Sequence, residues 1–493
     1  MSLTEETEER AGAVSAALAQ DRLGIPSVVF FVISASAPLT VIAGVVSTAY
    51  AATGVTGVPL AFVLLGAILA VFTVGYVTMA RHVVNAGAFY AYTAKGLGRP
   101  AGVATAWVAL LAYNALQVGL YGLIGSAVEP LLSEWFGISP AWWVIALAAW
   151  ALTGLLGLMR VDVNGKVLAV LLLTEVAVVV VFDIANLLHP VASGYSLDVF
   201  GPSSFFVPGM GAVIAICIAA FSGFESSVVF SEETKDPRRT VPIATYIAIA
   251  VISGLYALSS WAMTVPVGSD KIVATSREQG PGLLFNLAGQ HLGATIATIG
   301  SVLFATSIIA ALIAFHNTIS RYIFALGRER VLPAAFGRTS PRTGAPVNGS
   351  VAQSVVGLAV IVICVVFGLD PLVQLFFTVG SFGGLGVLLM LAATSVAVLA
   401  FFSKNPGLEN AWRIRIAPGI AAVLLVVVLG FALVNFDTVL GVAPDSLLRW
   451  VLPAVYFIAI GLGVAWALAL RANRPEVYAN IGLGAEAAVG ESK

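Results

Sequence analysis

Charged side chains are scarce in this chain. Lys and Arg account for 24 and Asp and Glu for 25 of the 493 residues, or 10% together, whereas 59% of the residues are hydrophobic. Soluble globular domains carry about 25% charged residues, so this composition excludes a soluble enzyme or binding domain. It indicates instead a polytopic protein whose helices lie in a lipid bilayer.

Cysteine and histidine are also rare. The two cysteines, Cys217 and Cys364, lie inside apolar stretches, so no disulfide framework is expected. The sequence has neither a His-Glu-x-x-His nor a Gly-x-Ser-x-Gly motif, and it has no grouped metal ligands. These absences argue against a multispan membrane enzyme, and no segment is typical of a channel filter. We expect no metal, cofactor or nucleic-acid partner.

Long apolar stretches are abundant. An α-helix that crosses about 30 Å of hydrocarbon needs about 20 mostly apolar residues, and the chain predicts twelve such spans in an all-α fold. Their limits are 25–52, 58–80, 101–127, 141–159, 166–187, 209–232, 240–264, 293–327, 348–368, 371–402, 417–436 and 450–470.

The basic residues predict the orientation of these spans. All but three of the 24 Lys and Arg residues fall on one side of the predicted membrane, the exceptions being Lys271, Arg277 and Arg449. Since Lys and Arg accumulate in cytoplasmic segments, both termini are predicted to be cytoplasmic in a multi-pass protein of the cell membrane. Residues 1–24 lack the features of a signal peptide and are expected to form a disordered cytoplasmic tail. Residues 471–493 are expected to form a second cytoplasmic tail.

The first span contains a run that predicts a break in the helix. It reads Ser34, Ala35, Ser36, Ala37, Pro38. Proline cannot donate to the preceding turn but is favoured at the first position of a new helix, and Ser36 is a candidate for its N-terminal cap. A simple proline kink is the alternative.

The sixth span contains a comparable run. It reads Phe221, Ser222, Gly223, Phe224, Glu225. Glycine weakens a helix, and a carboxylate near the middle of the membrane is costly, so Glu225 indicates a polar cavity, a partner or protonation. The alternative is a continuous helix with a hydrogen-bonded Glu225.

Interruptions in spans one and six predict an inverted repeat with a binding site at mid-membrane. Residues 25–190 then form the first repeat of five spans and residues 209–402 the second. The spans in 417–470 are additions. An odd number of spans in each repeat gives the two copies opposite orientations in the membrane.

Three patches resemble the amino acid–polyamine–organocation superfamily of secondary transporters. The first is the sixth-span run with the following loop of Ser231, Glu232, Glu233, Thr234, Lys235, Asp236, Pro237, Arg238, Arg239, Thr240, Val241, Pro242. The second comprises Gly87, Ala88, Phe89, Tyr90, Ala91, Tyr92, Gly98, Arg99 and Trp107, and the third comprises Asn317, Arg321, Tyr322, Ala325, Leu326, Gly327, Arg328, Leu332 and Pro333. The resemblance covers nearly all twelve spans and implies the LeuT-like five-plus-five fold. The chain departs from it in span one, where many relatives have a glycine-rich break.

The two breaks predict where a substrate binds. A helix that starts at mid-membrane exposes N–H groups, and one that ends there exposes carbonyls. We therefore expect an α-carboxylate near Ala35 to Pro38, and an amino group near the carbonyls of residues 32–34 and 217–222. The resemblance implies that spans three and ten line the same pocket, although ordinary bundle packing is the alternative for each residue. The side chains implied are Tyr113, Asn114, Gln117, Phe376, Phe377 and Ser381.

Three ionisable residues inside spans are candidates for proton coupling: Glu175, Glu225 and His316. Some superfamily relatives have a lysine at the place of Glu175, ten residues after the glycine that matches Gly165, and the alternative here is a permanently protonated Glu175. For Glu225, bracing of the broken helix is an alternative to titration. The loop residues Glu232, Glu233, Arg238 and Arg239 set the topology or form gating ion pairs.

The resulting hypothesis is a secondary active transporter for amino acids or related amines. Its partners are a small-molecule substrate, H+ and the lipid bilayer. A polyamine importer and an amino acid/amine exchanger are the alternatives within this class.

Overall fold

A computed structural model describes residue 18 and residues 21–192, 194–407 and 409–484. Within these residues the chain is helical and has no strand, as predicted. Most of the predicted N-terminal tail and residues 485–493 of the predicted C-terminal tail lie outside the described part of the chain.

Eleven helical segments in the described part of the chain are long and apolar enough to cross a membrane. They are Ile25–Thr53, Val58–Ala80, Arg99–Phe136, Val163–Leu188, Met210–Glu233, Pro237–Val267, Ala294–Arg328, Val347–Val366, Pro371–Lys404, Trp412–Val434 and Leu448–Asn473. The predicted fourth span forms a helix of only 16 residues, Trp142–Gly157, which is about 24 Å long and shorter than the hydrocarbon core. The prediction of twelve spans is therefore confirmed for eleven.

Both predicted interruptions are present. The first span divides into Ile25–Ser36, Pro38–Thr40, a wider π-helical stretch Val41–Val46, and Ser47–Thr53. In the sixth span, the helix Met210–Ala219 ends well before the 3₁₀ turns Phe224–Ser227 and Ser231–Glu233. The fifth span is the uninterrupted helix Val161–Leu188.

Two later spans begin with π-helical turns, and several short helices were not predicted. The π-helical turns are Pro371–Val379, before Gly380–Lys404, and Trp412–Ile416, before Ala417–Val434. The short helices and turns are Phe89–Leu97, Asp198–Phe200, Pro202–Phe205, Ile272–Gln279, Gly282–Leu292, Ala334–Gly337, Phe436–Leu440 and Pro475–Asn480.

The two interrupted spans lie at the centre of the bundle. In their most apolar stretches, 89% of the first span and 94% of the sixth are buried, against 22% of Leu448–Asn473. Ile25–Ser36 packs against the fifth, seventh and eighth spans and against the turn Phe224–Ser227. The breaks are therefore enclosed by protein, where irregular backbone in a membrane is tolerated.

The ends of several spans are tied together on the side of the molecule that holds the chain termini. The N–H groups of Arg22 and Leu23 donate to the carbonyl of Glu233, and Leu23 is fully buried. Arg22 and Leu23, which the sequence assigned to the cytoplasmic tail, are thus packed against the end of the sixth span. At the other end of the chain, Gly482 and Gly484 donate backbone N–H groups to the buried carboxylate of Glu329.

Candidate functional site

A cavity of about 120 Å³ lies where the breaks of the first and sixth spans meet. Most of its lining residues are small or apolar, and none of those described carries a charge. They are Ala35, Ser36, Ala37, Thr40, Val41, Val45, Thr48, Leu116, Gly119, Leu120, Ile216, Ala219, Ala220, Ser222, Ala311, Phe315, Phe376, Phe377, Gly380, Ser381 and Val439. Ligand pockets for drug-sized molecules measure about 300–1,000 Å³, so this cavity suits a smaller molecule.

The break in the first span centres on Ala37. Its backbone is left-handed, with φ 42° and ψ 72°, and the helix restarts at Pro38. Non-glycine residues rarely adopt this conformation. The predicted Ser36 cap is wrong, because the Ser36 hydroxyl accepts no N–H group of the restarting helix. The Ser36 hydroxyl instead lies 3.5 Å from the carbonyl oxygens of Val32 and Ser222.

The break in the sixth span is a tightening of the helix followed by a turn at Gly223. The N–H groups of Ala220, Phe221 and Ser222 each bond the carbonyl three residues earlier, at 3.1 Å. Gly223 then takes φ 111°, which L-amino acids rarely adopt. The hydroxyl of Ser222 has no hydrogen-bond partner among the described residues although Ser222 lines the cavity. It is free to bond a ligand.

Glu225 holds this turn in place and does not line the cavity. One carboxylate oxygen accepts the N–H of Gly223 at 2.9 Å, and the other accepts the hydroxyl of Tyr113 at 2.7 Å. The hydroxyl of Tyr76 also bonds the Glu225 carbonyl, at 2.8 Å. The carboxylate thus links the turn to the third span, which fits the bracing role.

This geometry predicts a graded response at Glu225. In Glu225→Gln the amide oxygen can accept from Gly223 while the amide group donates to Tyr113, so we expect transport to fall only a few-fold. Glu225→Ala leaves two buried donors unpartnered at about 1–3 kcal/mol each, and we expect transport to be lost. Initial uptake rates in proteoliposomes measure both effects, with Glu129→Gln at the partly exposed end of the third span as control. Equal losses in Gln and Ala variants would instead mean that the charge is required.

Glu175 reaches the first-span break from the fifth span. One of its carboxylate oxygens accepts the N–H of Leu39 and, at 2.8 Å, the hydroxyl of Ser307. The Ser307 hydroxyl lies 3.2 Å from that of Thr40, which lines the cavity. A carboxylate at the start of a helix is stabilised by its free N–H groups. Glu175 therefore caps the second half of the first span.

This capping changes the predicted carboxylate site. The N–H of Ala37 bonds the Ser34 carbonyl, Pro38 has none, and that of Leu39 bonds Glu175. The donors expected for a substrate carboxylate at this helix start are thus already paired. The unpartnered Ser222 hydroxyl belongs to the sixth span and is a separate polar group of the cavity lining.

The predicted substrate contacts divide into two groups. Ala35, Ser36, Ala37, Ser222 and Phe377 line the cavity, as do Phe376 and Ser381. The others are not among its lining residues; they are Ser34, Pro38, Tyr113, Asn114, Gln117, Phe221, Gly223, Phe224 and Glu225. Asn114 and Gln117 both bond Gln353 of the ninth span.

His316 lies apart from the cavity. Its Nε2 is 2.8 Å from the hydroxyl of Ser350 in the ninth span, and its side chain is buried. The hydrogen-bond partners of Glu175 and Glu225 among the described residues do not include His316. The geometry therefore gives it no direct connection to either carboxylate.

Two buried ion pairs join the sixth and eighth spans on the side of the termini. Glu233 forms a two-pronged pair with Arg321, one prong measuring 2.9 Å, and Glu232 forms one with Arg328 at 2.7 Å. Arg238 lines a separate surface pocket with Glu232. Separating such a pair without hydrating it leaves an uncompensated buried charge, which is costly, so the two pairs hold the sixth and eighth spans together here.

Sequence reasoning missed some residues that connect the site. Ser307 and Thr40 link Glu175 to the cavity. Asp183, a buried acid in the fifth span, was also not singled out. Asp183 is eight residues after Glu175 on the same helix. Residues at this spacing lie on the same broad side of a helix, and this pattern could have identified Asp183 from the sequence.

A family model described as amino acid permease matches residues 23–461. The chain belongs to the amino acid permease family. This membership confirms the resemblance to the amino acid–polyamine–organocation superfamily.

Several curated proteins are similar to this permease. The methylthioribose transporter of Bacillus subtilis (strain 168) is 25% identical over 84% of the chain and 88% of its own length. The branched-chain amino acid permease of the same organism is 24% identical, over 75% and 80%. Human cationic amino acid transporter 4 is 30% identical, but over 43% of this chain and only 31% of the human protein.

Proposed function

We propose that this permease is a secondary active transporter that moves a small neutral amino acid across the cell membrane by alternating access. The observation that carries the proposal is the cavity between two helix breaks, lined by small apolar residues and five hydroxyl side chains. A doubly charged polyamine needs carboxylates at both ends, and the described lining offers none. Similarity to the branched-chain amino acid permease also supports a neutral amino acid.

The breaks supply polar partners for such a substrate. The Ser222 hydroxyl is unpartnered and the Ser222 carbonyl meets Ser36 only at 3.5 Å. We infer that these groups, with the Ser36 hydroxyl, bind the zwitterion while Phe376 and Phe377 enclose its side chain. This arrangement discriminates by size, because an added methylene that does not fit costs about 1–3 kcal/mol.

We propose that the protein has the membrane topology predicted from its sequence and that transport takes place within it. In it the termini face the cytoplasm, residues 25–190 and 209–402 are inverted repeats, and 417–470 are additional. The Glu233–Arg321 and Glu232–Arg328 pairs then lie on the cytoplasmic side and must rearrange before the cavity opens inward. The state described here is closed on that side.

We also propose that protons drive uptake and that Glu175 couples them to the substrate. The support is geometric: Glu175 caps the helix start at the break and reaches the cavity through Ser307 and Thr40. Glu225 has the Gly223 turn and Tyr113 as partners and is assigned to bracing. His316 is not needed in this scheme.

Transport by purified protein in proteoliposomes tests the function. We expect small aliphatic amino acids to accumulate under an inward proton gradient, a protonophore to abolish accumulation, and arginine and putrescine to compete poorly. Ala311→Phe, which fills the cavity, should lose uptake, whereas Ala294→Phe at the exposed start of the same helix should not. Strong competition by putrescine would favour the polyamine alternative, and uptake that persists with the protonophore would refute proton coupling.

A further inference from the structure

The outer end of the fifth span holds two buried polar residues that the proposed transport cycle has not used. Asp183 and Asn186 lie in the last two turns of Val161–Leu188 and are only 2% and 1% exposed. One oxygen of Asp183 accepts the hydroxyl of Ser259 in the seventh span at 2.6 Å. The other oxygen and the amide nitrogen of Asn186 have no partner among the described residues.

Such groups are costly to bury. An unpartnered polar atom in an apolar interior costs about 1–3 kcal/mol, and an ionised carboxylate costs more. Hydrophobic residues of similar size would pack here without that cost, since Val179 and Phe182 on the same helix are buried. A functional role is the simplest account of an acid in this position.

Asp183 lies on the same helix as Glu175. Eight residues separate them, which corresponds to about 12 Å along the helix and about 80° around it. Both therefore fall on the broad side of the fifth span that packs against the first, seventh and eighth spans. Asp183 is the one nearer the end of the molecule opposite the termini.

Polar groups continue from Asp183 toward the cavity. On the seventh span, Tyr256 lies one turn before Ser259 and donates its hydroxyl to the Ser36 carbonyl at 2.8 Å. At the same break, Leu39 donates to Glu175, which reaches the cavity through Ser307 and Thr40. We call this set, from Asp183 through Ser259, Tyr256, Glu175 and Ser307 to Thr40, the polar seam.

We propose that Asp183 is the external proton-binding residue from which protons pass along the polar seam to Glu175. The inference rests on the proposed proton coupling. The Asp183 carboxylate takes a proton from outside and becomes neutral. It then gives the proton up toward the Glu175 carboxylate and returns to its charged form. A hydroxyl relays a proton by accepting one and donating another. Ser259 already bonds Asp183, whereas the Tyr256 hydroxyl donates to the Ser36 carbonyl and must turn from it to pass a proton on toward Glu175.

Other titratable groups near this end of the fifth span are part of the same electrostatic environment. His189 directly follows the end of the Asp183 helix, and its ring stacks on that of His291, in Gly282–Leu292, with centroids 4.3 Å apart. Three tyrosines also lie near this end of the fifth span. They are Tyr50 of the first span, Tyr256 of the seventh span and Tyr195 of the loop that follows the fifth span. His189 and His291 are accordingly kept unchanged in the test.

The test compares Asp183→Asn with wild type in proteoliposomes. Asparagine can still accept the Ser259 hydroxyl, so we expect correct insertion and substrate exchange within about twofold of wild type. Proton-driven uptake at an outer pH of about 7 should fall at least about tenfold, a smaller effect than the roughly 10²–10⁴-fold that a positioned acid or base contributes to a chemical step. The deficit should shrink toward about pH 5, because protons then reach Glu175 directly more often. Asp198→Asn, at an exposed acid on the same side, is the matched control.

The outcomes separate this inference from the proposed function. If wild type responds to the proton gradient and Asp183→Asn responds equally with the same pH profile, Asp183 is not a proton-binding residue. A parallel fall of exchange and uptake at every pH would make Asp183 a structural residue and also overturn the inference. Wild-type uptake that ignores the proton gradient, or follows a sodium gradient, would refute the proposed coupling itself.

Discussion

Glu175→Gln is expected to lose uphill, proton-driven uptake while it retains substrate binding and exchange. The glutamine oxygen can still accept the N–H of Leu39 and the hydroxyl of Ser307, so the break keeps its shape. What is lost is the ability to bind and release a proton. Accumulation against a gradient should fall to the level reached with a protonophore, while counterflow of labelled substrate stays within about twofold of wild type.

The proposed physical basis is competition between the Glu175 carboxylate and the substrate carboxylate for one N–H group at the start of a helix. A charged Glu175 is held by the N–H of Leu39, an interaction worth about 0.3–2 kcal/mol from helix-end electrostatics. In the proposed cycle, protonation removes the charge of Glu175 but not the hydrogen bond, so the Leu39 N–H is held less strongly. Leu39 precedes Thr40, which lines the cavity, and a substrate carboxylate can then share this N–H. Proton binding and substrate binding would in this way favour each other through one donor.

Exchange in the same vesicles is the internal control for this variant. Glu134→Gln, at an exposed acid on the third span, controls for the removal of a carboxylate as such. If Glu175→Gln still concentrates substrate under an inward proton gradient, Glu175 is not the coupling residue. If exchange is lost as well, the residue supports the break rather than coupling.

The sequence was informative where the physical signal is local. Proline and glycine weaken a helix, and Pro38 and Gly223 each lie close to serine residues near the middle of an apolar span, so both interruptions were predictable. Long apolar runs likewise predicted the spans, although the ends of Arg99–Phe136 extend beyond the predicted 101–127. Helices that continue past the hydrocarbon core lose the composition signal on which those limits depend.

Partners from distant parts of the chain were not predictable in the same way. The contact between Glu175 and Leu39 depends on the register of the fifth span against the first, which no local pattern sets. The same is true of Tyr113 with Glu225. For this reason the cap on the second half-helix and the brace on the sixth-span turn appeared only in the structure.

Gly223→Leu is expected to abolish transport, and Gly223→Ala to reduce it strongly. Gly223 has φ 111°, and a Cβ atom there would lie 2.5 Å from the Cβ of Ala35 and 3.2 Å from its carbonyl carbon. The strained backbone costs about 1–3 kcal/mol and the overpacking a similar amount. Both costs fall where the two breaks touch, so the cavity wall at Ala35 and Ser222 must move.

The matched control is Gly254→Leu in the seventh span. Gly254 has no heavy atom within 4 Å of an added Cβ and lies inside the helix Pro237–Val267, so this variant should transport normally. Insertion and monodispersity after purification show whether each variant is intact, and initial uptake rates measure the effect. Normal uptake by intact Gly223→Leu would mean that the sixth-span turn does not shape the substrate site. If Gly223→Leu loses both uptake and the folded protein, Gly223→Ala becomes the test. Its smaller side chain perturbs the same contact with less overpacking. Normal transport by intact Gly223→Ala would also refute the prediction.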